Sequence, residues 1–186
     1  MAGRVQSITD ADAVSRIIEE WHRQRPDLDP SPIEVLGRLH RSFLLYQLRM
    51  SKPVAAAGLS LAGFDVLAAL RRSGEPYRLT AGELAETSLI SSAGVTLRLD
   101  RLEGDGLIVR ERDVKDRRVV HCRLTPAGLK LIDTLFAEHL ENERSMLAGL
   151  KPKERVQLAA LLQKLERSLG STADSTARSA RDGLAP

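Results

Sequence analysis

Apolar residues first recur at helical spacing at Val14, Ile17, Ile18 and Trp21, one stripe that predicts a helix capped by Thr9. "RPDLDPSP" then brings three prolines into residues 25–32 and ends it. A second helix is expected over residues 33–52, with Leu36, Leu39, Phe43, Tyr46 and Met50 on one side. Ser60 reads as the cap of a third, which carries Phe64, Leu67, Ala68, Arg71 and Arg72 before Gly74 stops it.

A compact unit follows. Thr80 and Glu83 have the spacing of a capping box, "SLISS" is a short turn, and Ser91 or Ser92 caps a further helix, "AGVTLRLDRLEGD". Gly106 breaks that helix. "LIVRER" and "VVHCRLT" alternate as strands, joined by the charged hairpin "DVKDRR". Helix, turn, helix and hairpin is the order of a winged helix-turn-helix. Thr125 and Pro126 then cap a long helix to about residue 147, with Leu131, Leu135 and Leu140 among its apolar members. "KPKE" restarts the chain into a last helix bearing Val156, Leu158, Leu161, Leu162 and Leu165. From Gly170 the tail has no apolar period and is expected to be disordered. The fold class expected is mainly α with a small β-hairpin: a winged helix-turn-helix with a helical dimerisation region.

Composition narrows the function. A chain of 186 residues, 42% hydrophobic and 28% charged, is an ordinary globular protein, with one domain plus appendages expected. A net charge of +3 with a pI near 9.3 favours an anionic partner. No apolar run reaches spanning length and no signal core opens the chain, so a cytoplasmic protein without a membrane partner is expected. The single cysteine, Cys122, excludes an internal disulfide and a Cys-rich zinc site. His22, His40, His121 and His139 are scattered, with no metal-ligand spacing, nucleophile elbow or phosphate loop. No metal, cofactor or catalytic activity is expected.

The helix after the turn carries the candidate chemistry. Val95, Leu99 and Leu102 must face the core, which turns Gly94, Leu97 and Arg101 outward with Thr96 on one flank. Small residues beside one long donor suit a major groove. Ser91 and Ser92 can donate to phosphate at its N-terminus. Lys115, Arg117 and Arg118 at the hairpin tip suit backbone or minor-groove contact. The bland alternative for these charges is a solvated face. The outer helices carry more leucine than a small winged domain can cover, which predicts a two-fold homodimer on a pseudo-palindromic operator in double-stranded DNA. A larger monomeric core is the alternative.

Over residues 36–169 the sequence resembles the MarR family of transcriptional regulators, through "GELAETSLISSAGVTLRLDRLEGDGLIVRERD" and "DVKDRRVVHCRLTPAG". The resemblance divides the chain into an N-terminal extra helix and linker (1–32), the winged domain (33–169) and the tail (170–186). Within the domain it implies a DNA-binding core at about 60–124 and dimerisation helices at 33–52 and 126–169. The family's D-x-R pattern falls on Asp116 and Arg118, implying that Arg118 enters the minor groove while Asp116 holds its guanidinium. Leu97 departs from the polar reader many members carry. The extra helix with its tryptophan, and the aspartate in "FDVLAALRR", resemble the urate-responsive branch of PecS- and HucR-like regulators. That likeness implies a ligand site of Trp21, Asp65, Arg72 and Arg98, with Arg110 linked to the response, and a small anionic, urate-like effector that releases a repressor from DNA.

The residues can be weighed separately. Arg98 lies about 60° from the buried stripe's centre, and a half-buried guanidinium wants a counter-charge, for which Asp65 is a plausible partner. A planar anion could stack on Trp21, draw on Arg72 or Arg98 and loosen Asp65 from Arg98. Plain dimer packing is the alternative for Trp21, a surface carboxylate for Asp65, and a phosphate contact or structural salt bridge for Arg98. Other readings are a thiol-responsive regulator using Cys122, a phenolic- or organic-acid-responsive one, and a winged protein-interaction module that has lost DNA binding.

Overall fold

The computed structural model describes residues 12–87 and 95–182. Its elements run α1 (Ala13–Gln24), α2 (Pro32–Ala56), α3 (Leu61–Arg72), β1 (Arg78–Thr80), α4 (Ala81–Thr87), α5 (Val95–Gly104), β2 (Ile108–Arg112), β3 (Val120–Leu124), α6 (Pro126–Met146) and α7 (Pro152–Asp182). The mainly helical winged helix-turn-helix order is as expected, with a small sheet of three strands rather than two.

Asp12 starts α1: its carboxylate accepts the Ser15 amide at 2.8 Å and the Arg38 side chain of α2 at 3.0 Å. One residue thus caps a helix and ties it to its neighbour. Thr9, the cap expected from sequence, lies outside the described residues. Gly37 lets the two helices approach, since a Cβ there would sit 3.2 Å from the Val14 side chain. α2 continues a turn beyond the expected end at Lys52, with Pro53 inside it. A proline near the C-terminus forfeits one amide, and the buried Val54 anchors the turn that follows.

Three caps match the sequence reading. Ser60 accepts the Gly63 amide at 3.0 Å to open α3. Thr80 and Glu83 exchange bonds at α4, the Thr80 amide donating to Glu83 at 2.7 Å and the Glu83 amide to Thr80 at 3.2 Å. Thr125 accepts the Gly128 amide at 3.0 Å to start α6. Gly128 packs against the backbone of Leu107, and a Cβ there would collide with the Leu107 carbonyl oxygen.

The sheet order is β1-β3-β2, all antiparallel, with Leu79 opposite Cys122 and Cys122 opposite Arg110. β1 has no strand signal of its own. It is a three-residue segment after Pro76, held by pairing with β3. Beneath the sheet lies a core of Phe64, Val66, Leu67, Leu70, Leu84, Leu99, Leu102, Ile108, Leu124 and Ile132.

The chain divides into two compact units, Met1–Phe136 and Ala137–Pro186. In the second, α7 continues to Asp182, past the Gly170 at which the apolar period ends. Extending an existing helix needs no new nucleus, and residues 171–182 contain neither glycine nor proline. Among the described residues no single helix is long and apolar enough to cross a membrane. α2 and α3 qualify only as a pair, bent by 77°.

Candidate nucleic-acid and effector site

α5 separates its faces as its stripe predicts. Leu99 and Leu102 are buried, while Leu97 is 74% exposed with Thr96 and Arg101 exposed beside it. Arg101 makes a loose 3.9 Å pair with Asp105, too long and too exposed to immobilise it. Its guanidinium is free to reach outward. Ser91, Ser92 and Gly94, and the side chain of Val95, lie outside the described residues.

The tip between β2 and β3 is built by two aspartates. Asp113 Oδ1 accepts the amides of Lys115 at 2.8 Å and Asp116 at 3.1 Å. The Asp113 amide donates to the Val119 carbonyl at 2.9 Å and the Val119 amide to the Asp116 carbonyl at 2.9 Å, closing the turn. Asp116 Oδ1 accepts the backbone amide of Arg118 at 2.9 Å. The carboxylate thus holds the main chain of Arg118, as Asx turns do. Lys115, Arg117 and Arg118 are consequently exposed on a turn whose backbone is fixed.

Arg110, on β2, joins this wing to α5. Its guanidinium meets Asp100 at 2.6 Å and Glu103 at 3.5 Å and donates to the Thr96 carbonyl at 3.3 Å. Glu103 also accepts the Arg110 amide at 2.9 Å. Asp100 and Glu103 were missed in the sequence, although two carboxylates three apart on one helix are a signal for a bridging cation. Across the ladder Cys122 is 1% exposed. Burial pushes its thiol up, more than the neighbouring Arg110 guanidinium lowers it. A buried protonated thiol is a packing group, the opposite of what oxidant sensing requires.

The residues expected to hold a ligand are distributed over three helices. A cavity of about 190 Å³ between α3 and α5 is lined by Leu59, Ser60, Gly63, Arg98, Arg101 and Asp105, among others. Arg98 belongs to it; Trp21, Asp65 and Arg72 do not. Asp65 is partly buried on α3, and Arg72 at the end of that helix donates to the Thr87 carbonyl of α4. Trp21 is 47% exposed on α1.

Comparison with known proteins adds three relatives. A profile of the MarR family matches residues 57–119, from the end of α2 through the wing turn. The chain is 40% identical over 156 residues to the HTH-type transcriptional regulator PecS of Dickeya dadantii (strain 3937), covering 84% of this chain and 94% of the relative. Among solved structures it superposes on BpsR of Bordetella bronchiseptica, whose DNA binding is regulated by 6-hydroxynicotinic acid. The TM-score is 0.64 at 29% identity, over 71% of this chain and 92% of that one. AbsC, a MarR family transcriptional regulator from Streptomyces coelicolor, shares the fold with a TM-score of 0.69 at 21% identity, over 77% and 97%.

Proposed function

Because the chain belongs to the MarR family of DNA-binding transcriptional regulators, and so is not an enzyme, we propose that it is a cytoplasmic repressor released from its operator by a small planar anion. The observation that carries the reading is Arg98, a cation on the groove-facing helix that also lines a cavity against α3. An anion drawn to Arg98 acts on the reading helix directly, so ligand and DNA disfavour one another by the same factor.

Thr96, Leu97 and Arg101 read base edges in the major groove, Ser91 and Ser92 meet phosphate, and Lys115, Arg117 and Arg118 hold the backbone or minor groove, with Asp116 shaping the tip. The exposure of these residues, where described, supports these roles. The functional unit is a homodimer on a pseudo-palindrome. Val35, Leu36, Phe43, Leu44, Leu45 and Leu48 of α2 are all about half exposed, a patch that water covers poorly and a second copy covers well. Trp21, Asp65, Arg72 and Arg98 form the effector site, urate or another purine being the favoured class, with Arg110 relaying the response. A second class has its own support: the regulation of BpsR by an aromatic hydroxy acid favours a phenolic or organic acid.

A thermal-shift screen of purines and aromatic carboxylates, run on wild type, Trp21→Ala and Asp65→Ala, tests the site. A urate-like anion should raise the wild-type melting temperature, and the rise should shrink in both variants. A full shift retained in both removes these residues from the site.

A further inference from the structure

The first helix, α1, is fastened to its neighbour at one end. Of its residues only Val14 is buried, against Gly37 of α2. Farther along the same stripe Ile18 is half-buried, while Ile17 and Trp21 are exposed. Twelve residues are too few to hold a helix in water without tertiary support, and here that support lies at the first turn.

Polar contacts between α1 and α2 meet at the same place. Arg38 Nε donates to Asp12 Oδ2 at 3.0 Å, and Arg38 Nη2 donates to Asp12 Oδ1 at 3.2 Å and to the Ser15 hydroxyl at 3.0 Å. That hydroxyl donates in turn to Asp12 Oδ1 at 3.1 Å. An exposed ion pair ordinarily contributes little, because two side chains must be held in one geometry. Both partners here are held in advance. Asp12 is short and already fixed as the cap by the Ser15 amide, and Arg38 Nη1 donates to the Glu34 carbonyl of its own helix at 2.9 Å. The two-pronged contact then fixes direction as well as distance.

We propose that the Asp12–Arg38 pair is the positioning device for Trp21: it pins the first turn of α1 to α2, and the effector site keeps its aromatic wall only while that pin holds. The inference rests on the reading that Trp21 belongs to the effector site. Trp21 stands two turns beyond Val14, about 10 Å along the axis, so a tilt of about 20° at the pin displaces the indole by roughly 3 Å. A stacked partner is lost over that distance.

The test uses the full chain, with urate and 6-hydroxynicotinic acid as probes in calorimetric titration. Arg38→Met keeps the stem and leaves the cap of α1 in place but removes the pin. A probe that binds the wild type should bind this variant about fivefold to tenfold more weakly, as a lost aromatic stacking partner implies, and Trp21→Ala should lose as much. The double variant decides the route. If Arg38 acts through Trp21, Arg38→Met combined with Trp21→Ala loses no more than Trp21→Ala alone. Additive losses, or wild-type affinity in Arg38→Met, overturn the proposal. Hydrogen exchange of the amides from Ile18 to Gln24 in ligand-free protein reads the pin without any probe. Protection there should fall about tenfold in Arg38→Met and less in Asp12→Asn, which still caps the helix, while the amides of α3 and α5 keep theirs. Equal protection of α1 in the wild type and Arg38→Met also overturns the proposal. If neither probe binds the wild type, or Trp21→Ala binds as the wild type does, Trp21 is no wall of the site and the claim on affinity fails, while the exchange profile still decides whether the pin holds α1.

Discussion

Leu97 and Leu102 stand five residues apart on α5, and the same substitution at each should produce opposite results. Leu102 is 2% exposed and belongs to the buried core with Phe64, Leu67 and Leu99. Truncating it to alanine removes buried methyls and leaves a cavity, at a cost of about 3 kcal/mol by comparison with other core leucines. In a chain of this size each kcal/mol lowers the melting temperature by roughly 2–4 °C, so Leu102→Ala should fall by about 6–12 °C. Leu97, at 74% exposure, buries only a small part of its side chain. Its truncation costs less than about 1 kcal/mol at ~25 cal/mol per Å², partly offset by the helix propensity of alanine. On a fluorescent duplex selected by the wild type from a random pool the ranking should invert. Leu97→Ala loses an apolar contact in the groove, about 1 kcal/mol or roughly fivefold in affinity. Leu102→Ala, assayed well below its midpoint, should bind near the wild-type level. Melting by circular dichroism and anisotropy titration on the same preparations measure both. Equal melting losses, or wild-type affinity in Leu97→Ala, would refute the division of α5 into a packed face and a reading face.

Arg110→Met keeps the stem's volume but removes the bridge to Asp100, Glu103 and the Thr96 carbonyl. Partly exposed ion pairs contribute at most about 1 kcal/mol, so the melting point should barely move while duplex affinity drops; a proportionate loss of both would reduce Arg110 to a stability residue. Acid should destabilise the fold in a definite direction. The Thr80 amide holds Glu83, and the Arg123 guanidinium holds Glu111, below the usual carboxylate range. Their stabilisation is therefore present above the unfolded-state carboxylate values and lost as pH falls through the depressed folded ones. Melting temperature should decline below about pH 4, and Glu83→Gln, which retains the capping geometry, should blunt that decline.

What was legible in the sequence was what neighbouring residues decide among themselves. Ser60, the Thr80–Glu83 box and the Thr125–Pro126 start each satisfy their helix within three or four positions, so pattern alone locates them. β1 was illegible for the converse reason: Arg78, Leu79 and Thr80 become a strand only because residues 121–123 pass alongside. The end of α2 and the extent of α7 were not legible from composition either. A proline in a last turn and a Ser-rich extension both look like helix ends, yet each follows a helix already nucleated, where continuation costs little. The D-x-R spacing was visible, but that Asp116 also accepts the Arg118 amide follows only from the turn geometry.

The wing and the reading helix are also coupled in a way no linear spacing reveals. Arg110 takes the Thr96 carbonyl near the start of α5 and both Asp100 and Glu103 farther along, so β2 grips the helix over more than one turn. Asp113, three residues beyond Arg110, then fixes the tip. A shift of α5 must therefore drag β2 or tear the Arg110 guanidinium from both carboxylates and the carbonyl. On the proposed reading this makes an effector at Arg98 economical: it need not reach the wing, because displacing the helix withdraws the groove-reading face and the wing tip together. When both grips on DNA loosen in one motion, affinity falls multiplicatively, so a small anion with modest differential affinity for the two states can empty an operator.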